Sequence, residues 1–218
     1  KYAWLNARRK PVLVNFEVTL RCNARCGFSD YWKTDPSARD TELESYAEAG
    51  RFFDPMLYTF TGGEPLLRRD LEEIVRTVAA AVRLKYIILL THGGMLTIDR
   101  ARSLWDAGVD QFNISLDYLD ERHHAARGIP GLARRILATV EGMRAAGIGG
   151  IRFNTVVKRD NLDEIMPIVR RATELGCGVN LSVYTDSKNG NRDHLLKQDT
   201  VRQVEELVAE LLSFKRSR

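Results

Sequence analysis

Arg21-Cys22-Asn23-Ala24-Arg25-Cys26-Gly27-Phe28-Ser29-Asp30-Tyr31-Trp32 is the stretch from which the rest of the chain is read. Before it, residues 12–19 place Val12, Val14, Phe16 and Val18 at every second position, the period of a buried strand. The stretch therefore opens where a strand ends. Its two cysteines share one short loop. Such a loop aims several side chains at one point, which is how thiolates wrap an iron–sulfur cluster. The plainer reading is two cysteines packed in a loop.

Working outward, strand-like and helix-like segments alternate. Further strands are expected at residues 56–61, 86–90, 111–116, 151–157 and 178–184. Helices are expected at 41–53, 70–83, 98–107, 132–146, 162–175 and 200–214. Leu71, Ile74, Val75 and Val78 fall on one helical face, as do Val201, Val204, Leu207, Val208 and Leu211. Gly108 is placed to cap one helix, and Pro167 to kink another. About six strand–helix units at roughly 30-residue spacing imply parallel strands. Two architectures suit that count: a doubly wound sheet, and part of a (βα)8 barrel. Periodicity does not choose between them, and both put the polar candidates at strand C-terminal ends.

Four polar motifs follow that pattern. Thr61-Gly62-Gly63-Glu64-Pro65 closes the second strand: the glycines let backbone approach a ligand, and Glu64 is an acceptor for an ammonium group. Read blandly, it is a tight turn before a helix. Ser115 and Asp117 share a parity and so a face. Ser115 reads as a binding residue, and Asp117 equally as a binding or turn residue. Asn154, an amide inside the fifth strand, needs partners. Asn180, Ser182 and Tyr184 share a face of the sixth strand.

His92 follows the third strand and is expected at the site mouth. His123 and His124, side by side, read as surface or positioning residues with Arg127-Gly128 in the following loop. His194 reads as solvated within a polar loop, and Cys177 as a small buried hydrophobe.

With 218 residues and 44% hydrophobic content, the chain has material for one substantial core. Lys and Arg number 33 against 29 Asp and Glu, a formal charge of +4. So small a surplus argues against a nucleic-acid partner. No apolar run reaches the ~18 residues of a membrane span. Three cysteines fit a reducing cytoplasm better than a disulfide framework.

Together these motifs resemble those of the radical S-adenosylmethionine (radical SAM) superfamily, whose members carry three cysteines in this loop, with an aromatic residue before the third. Cys22, Cys26 and Phe28 match. Ser29 stands where the third cysteine is expected. The resemblance implies a laterally open, partial (βα)6 TIM-like barrel of parallel strands. It also implies a 4Fe–4S cluster on Cys22, Cys26 and Ser29. S-adenosylmethionine would be bound through Phe28, Gly62, Gly63, Glu64, Ser115, Asp117 and Asn154. The implied reaction is reductive cleavage of that cofactor to a 5′-deoxyadenosyl radical, which takes hydrogen from a small-molecule or peptide substrate. Flavodoxin- or ferredoxin-like proteins would supply the electron. Residues 1–218 are expected to be one core domain of a longer chain, whose C-terminal extension is missing.

Ser29 opens alternatives. A serine ligates iron only as an alkoxide, and its hydroxyl is far less acidic than a thiol. It is read as an introduced change, as the mark of a relative that has lost its chemistry and binds cofactor or partner without turnover, or as a true ligand. A cluster-free barrel enzyme is a further alternative, but no strand interior carries a Schiff-base lysine.

Overall fold

The structure, a computed structural model, describes residues 1–35, 37, 39–82, 84–187 and 190–217. Six strands, β1 (Leu13–Thr19), β2 (Leu57–Gly62), β3 (Tyr86–Thr91), β4 (Gln111–Ser115), β5 (Ile151–Val157) and β6 (Gly178–Val183), form one sheet. Every pairing is parallel and neighbours follow chain order, β1 to β6. β1 and β6 do not pair with each other, so the sheet stays open. This is the partial (βα)6 barrel; the doubly wound alternative would have required strands out of sequence order.

Eight helices are described: α1 (Tyr2–Ala7), α2 (Leu43–Phe53), α3 (Leu71–Ala81), α4 (Ile98–Ala107), α5 (Glu121–Arg127), α6 (Leu132–Ala145), α7 (Ile165–Glu174) and α8 (Val201–Arg216). Alternation along the strands sends Phe16, Tyr58, Phe60, Leu89, Phe112 and Phe153 toward the helices. There they are buried with Ile74 and Val78 of α3, Leu104 of α4, and Ile136 and Val140 of α6. Each such side chain contributes about 1.5–3 kcal/mol by leaving water. The opposite parity leaves Asn15, Glu17, Thr59, Thr61, Ser115 and Asn154 on the cavity side of the sheet.

Gly108 ends α4 at φ 120°, a conformation that favours glycine. Pro167 does not kink a helix. α7 begins only at Ile165, after a single 3-10 turn at Leu162–Glu164. Pro167 thus lies in the first helical turn, where its missing N–H breaks no intrahelical bond. α8 uses part of its expected stripe: Val204, Leu207 and Leu211 pack on Val157, Leu162 and Ile165. Val201 and Val208 stay exposed. Arg83, the expected last residue of α3, lies outside the described residues.

Candidate functional site

One cavity of about 440 Å³ opens at the C-terminal ends of the strands. Small-molecule sites commonly span about 300–1,000 Å³. Cys22, Cys26, Phe28 and Ser29 reach its wall from the loop after β1, Gly62 and Gly63 from the end of β2, His92 from the end of β3. Ser115 of β4, Asn154 of β5 and Arg127 of α5 complete this part of the wall. Among the described residues, the side chains of Ser29, Ser115 and Asn154 make no hydrogen bond to protein. Buried or half-buried polar groups rarely stay unpaired without a ligand or water.

The two glycines do more than line the cavity. A Cβ on Gly62 would lie 2.2 Å from the Thr19 carbonyl oxygen, and one on Gly63 would lie 2.1 Å from that of Arg21. Their absence lets Gly63 N–H donate to Thr19 O at 2.8 Å and Glu64 N–H to Arg21 O at 2.8 Å. The turn after β2 is thereby tied, backbone to backbone, to the stem of the cysteine loop.

Glu64 is placed behind the wall, fully buried. Its Oε1 accepts from Thr91 Oγ1 (2.6 Å) and Leu66 N–H (3.0 Å), and its Oε2 from His92 N–H (2.8 Å). Three protein donors thus already engage the carboxylate, which does not line the cavity. Glu64 ties the end of β3 to the turn after β2 from behind the wall. His92 continues the chain. Its Nδ1 accepts from Gly94 N–H at 3.0 Å, so Nε2 carries the proton and donates to Asn23 Oδ1 at 2.8 Å. The same Nε2 lies 3.2 Å from Glu64 Oε2. Burial lowers the His92 pKa, Glu64 opposing, which keeps the ring neutral.

Asp117 is also fully buried and off the wall. Its Oδ2 accepts from Arg127 Nη2 (2.7 Å) and Nε (3.1 Å), and its Oδ1 from Val156 N–H (2.9 Å). Burial works to raise this carboxyl, but Arg127 and Lys158 hold it below the usual carboxylate range. It positions Arg127, whose Nη1 lies 3.9 Å from Cys26 Sγ. Lys158, 1% exposed, holds its ammonium 4.8 Å from the Phe28 ring centroid. Burial lowers the Lys158 pKa, with Asp117 and Asp160 opposing. Burial raises both cysteine thiols, and Arg127 works against that at Cys26.

Arg127, expected in the loop before the next helix, ends α5 and is buried on the wall. Of the two readings open for His123, surface or positioning, the first does not hold: it is buried, and its Nδ1 accepts from Asp117 N–H at 3.3 Å. His124 does stay near solvent, beside Glu121. His194, expected to be solvated, packs edge-on against Phe28 and Tyr184. Asn180 accepts from Arg152 and is not on the cavity wall. Cys177 packs against the main core, away from the loop.

The family model described as the radical SAM superfamily matches residues 16–172. GTP 3′,8-cyclase of Pseudomonas entomophila is 35% identical over 172 residues, covering 76% of this chain and 51% of that protein. AdoMet-dependent heme synthase of Methanosarcina barkeri is 35% identical over 174 residues, covering 76% and 48%. The chain spans about half the length of these curated relatives. Streptococcus suis SuiB, solved bound to S-adenosylmethionine, superposes with a TM-score of 0.78 at 15% identity, covering 98% of this chain and 51% of that one. SuiB has also been solved bound to the precursor peptide SuiA.

Proposed function

Because the chain belongs to the radical SAM superfamily, we propose that it is the core of an enzyme that holds a 4Fe–4S cluster and S-adenosylmethionine in the cavity after the strands. The observation that carries this reading is the convergence of Cys22, Cys26 and Ser29 with Gly62, Gly63, Ser115 and Asn154 on one wall.

The residues fit the two groups unequally. Ser115 and Asn154 offer unpaired polar side chains to a cofactor carrying amino, carboxylate and ribose groups. Cys22 and Cys26 offer two thiols for iron, and Arg127 faces Cys26 with Nη1 3.9 Å from its sulfur, a cation beside a potential thiolate. Ser29 is the weak donor of the set. When bound, the cluster supplies the electron for reductive cleavage of S-adenosylmethionine, the start of hydrogen abstraction from a substrate. The chain's own part is to position and to shield. Arg127 stabilises negative charge at Cys26. Glu64 and His92 lock the cysteine loop through Asn23. The open sheet leaves a lateral entry for a small-molecule or peptide substrate, and an external donor protein supplies the electron.

A second reading is favoured by Ser29 itself: a barrel that binds the cofactor without turnover. Anaerobic reconstitution with iron and sulfide, of this chain and of Ser29→Cys, separates the two when reductant-dependent 5′-deoxyadenosine is measured. Product from both supports the active reading. Product from the variant alone supports the second. Absence of cluster and product from both proteins overturns the proposal.

A further inference from the structure

The residues that follow β6 return to the cysteine loop at two points. Asn191 Nδ2 donates to the Gly27 carbonyl at 3.1 Å, and Tyr184 Oη donates to the Asn191 carbonyl at 2.8 Å. His194 sets its ring edge-on to Phe28, centroids 6.2 Å apart, and edge-on to Tyr184 at 5.6 Å. A Cβ on Gly27 would lie 3.6 Å from His194 Nε2, so the imidazole sits beside that backbone.

His194 is itself fixed from below. Its carbonyl accepts from Arg159 N–H at 3.1 Å and its Nδ1 lies 3.1 Å from Asp160 Oδ1. Asp160 Oδ2 in turn accepts from Tyr118 Oη at 2.7 Å. Lys158 lies beneath the Phe28 and Tyr118 rings, 4.8 and 4.9 Å from their centroids. The end of β5 and the residues after β6 thus form one support under Gly27 and Phe28, the residues that lead into Ser29.

We propose that Asn191 and His194 are positioning residues that clasp Gly27 and Phe28 and so present Ser29 to the cavity. This rests on the functional reading above, and it gives that reading a reason to tolerate serine. A hydroxyl is a poorer iron ligand than a thiolate. Its engagement therefore depends more on being held in place beforehand, since pre-organisation removes an ordering cost from binding.

The test uses His194→Ala, Asn191→Ala and His194→Phe, the last keeping an aromatic edge on Phe28. Three measurements are made on each: the thermal midpoint, backbone hydrogen exchange over residues 26–31 in the metal-free protein, and affinity for S-adenosylhomocysteine by calorimetry. The alanine variants are expected to exchange faster in that segment and to bind about three- to tenfold more weakly, the scale of one aromatic contact. His194→Phe is expected to recover most of both. Unchanged exchange and affinity in the alanine variants overturn the clasp. So does a fall in thermal midpoint with faster exchange throughout the chain and no recovery by phenylalanine, the signature of a merely structural role. If the unaltered chain binds no S-adenosylhomocysteine while exchange over 26–31 still responds to the variants and is rescued by phenylalanine, the clasp stands and the functional reading falls.

Discussion

Arg127 stands between Asp117 and Cys26, with Nη2 2.7 Å from the carboxylate and Nη1 3.9 Å from the sulfur. The cation is held by one buried anion and faced toward a second potential one. Breaking this pair from one side leaves a charge stranded in the interior, which costs about 3–5 kcal/mol. Arg127→Met is expected to lose stability on that scale in urea unfolding. Adding Asp117→Asn neutralises the stranded carboxylate while keeping an acceptor for Val156 N–H, and part of the loss returns. Were the double variant no more stable than the single, the charge account would be wrong.

Glu64 accepts from three donors of known geometry and lies within reach of a fourth, all from the protein. Hydrogen bonds to a charged group contribute about 1.5–3 kcal/mol each. Glu64→Gln keeps one oxygen and turns an NH₂ toward the remaining donors. The expected result is a thermal midpoint several degrees lower, together with weaker binding of S-adenosylhomocysteine. A direct ligand role predicts the opposite split, with binding lost and the midpoint kept.

Gly63→Ala places a methyl 2.1 Å from the Arg21 carbonyl oxygen, a backbone atom without a rotamer to yield. Forced overpacking of this kind typically costs about 1–3 kcal/mol. Hydrogen exchange is expected to rise over residues 21–26 as well as over 62–66. Disturbance limited to the second segment would argue that the two are not joined.

Acid stability follows from His123. Burial, with Arg127 adding to it, pushes this ring down to about 3, against an exposed value of about 6.5. Between those values the unfolded chain binds a proton that the folded chain does not. Stability therefore rises with pH across the window and is lost as pH falls through it, with a slope approaching about 1.4 kcal/mol per pH unit for one such group. His92, lowered by burial, acts in the same direction. The urea midpoint is expected to fall between about pH 7 and about pH 5, and to fall less in His123→Asn. An equal slope in both proteins would remove His123 from the account.

The strand alternation and the motifs at residues 22–29, 62–64, 115–117 and 154 were legible because each obeys a local period or spacing. What stayed hidden depends on long-range burial of polar groups. His123 and Arg127 are four residues apart on one face of α5, yet the stretch is so polar that it reads as surface. Only the pairing of Arg127 with Asp117 turns that face inward. That i, i+4 spacing, with an aspartate just past the end of β4 upstream, is the available signal. Lys158 reads as a strand boundary for the same reason. His194 reaches Phe28 by a return of the chain that no periodicity encodes. Glu64 and Asp117 lie behind the cavity wall with donors from distant segments on their oxygens, a placement that motif spacing does not encode.

The backbone bonds from Gly63 to Thr19 and from Glu64 to Arg21 carry a consequence for inheritance. Away from Gly62 and Gly63, where a Cβ would meet the Thr19 and Arg21 carbonyls, side-chain replacement does not erase a contact made between main chains, so drift at most surface positions leaves it intact. A single insertion or deletion in either segment, by contrast, shifts both at once. The turn after β2 and the stem of the cysteine loop are therefore one unit of change, and grafting them onto another scaffold requires transferring the pair together.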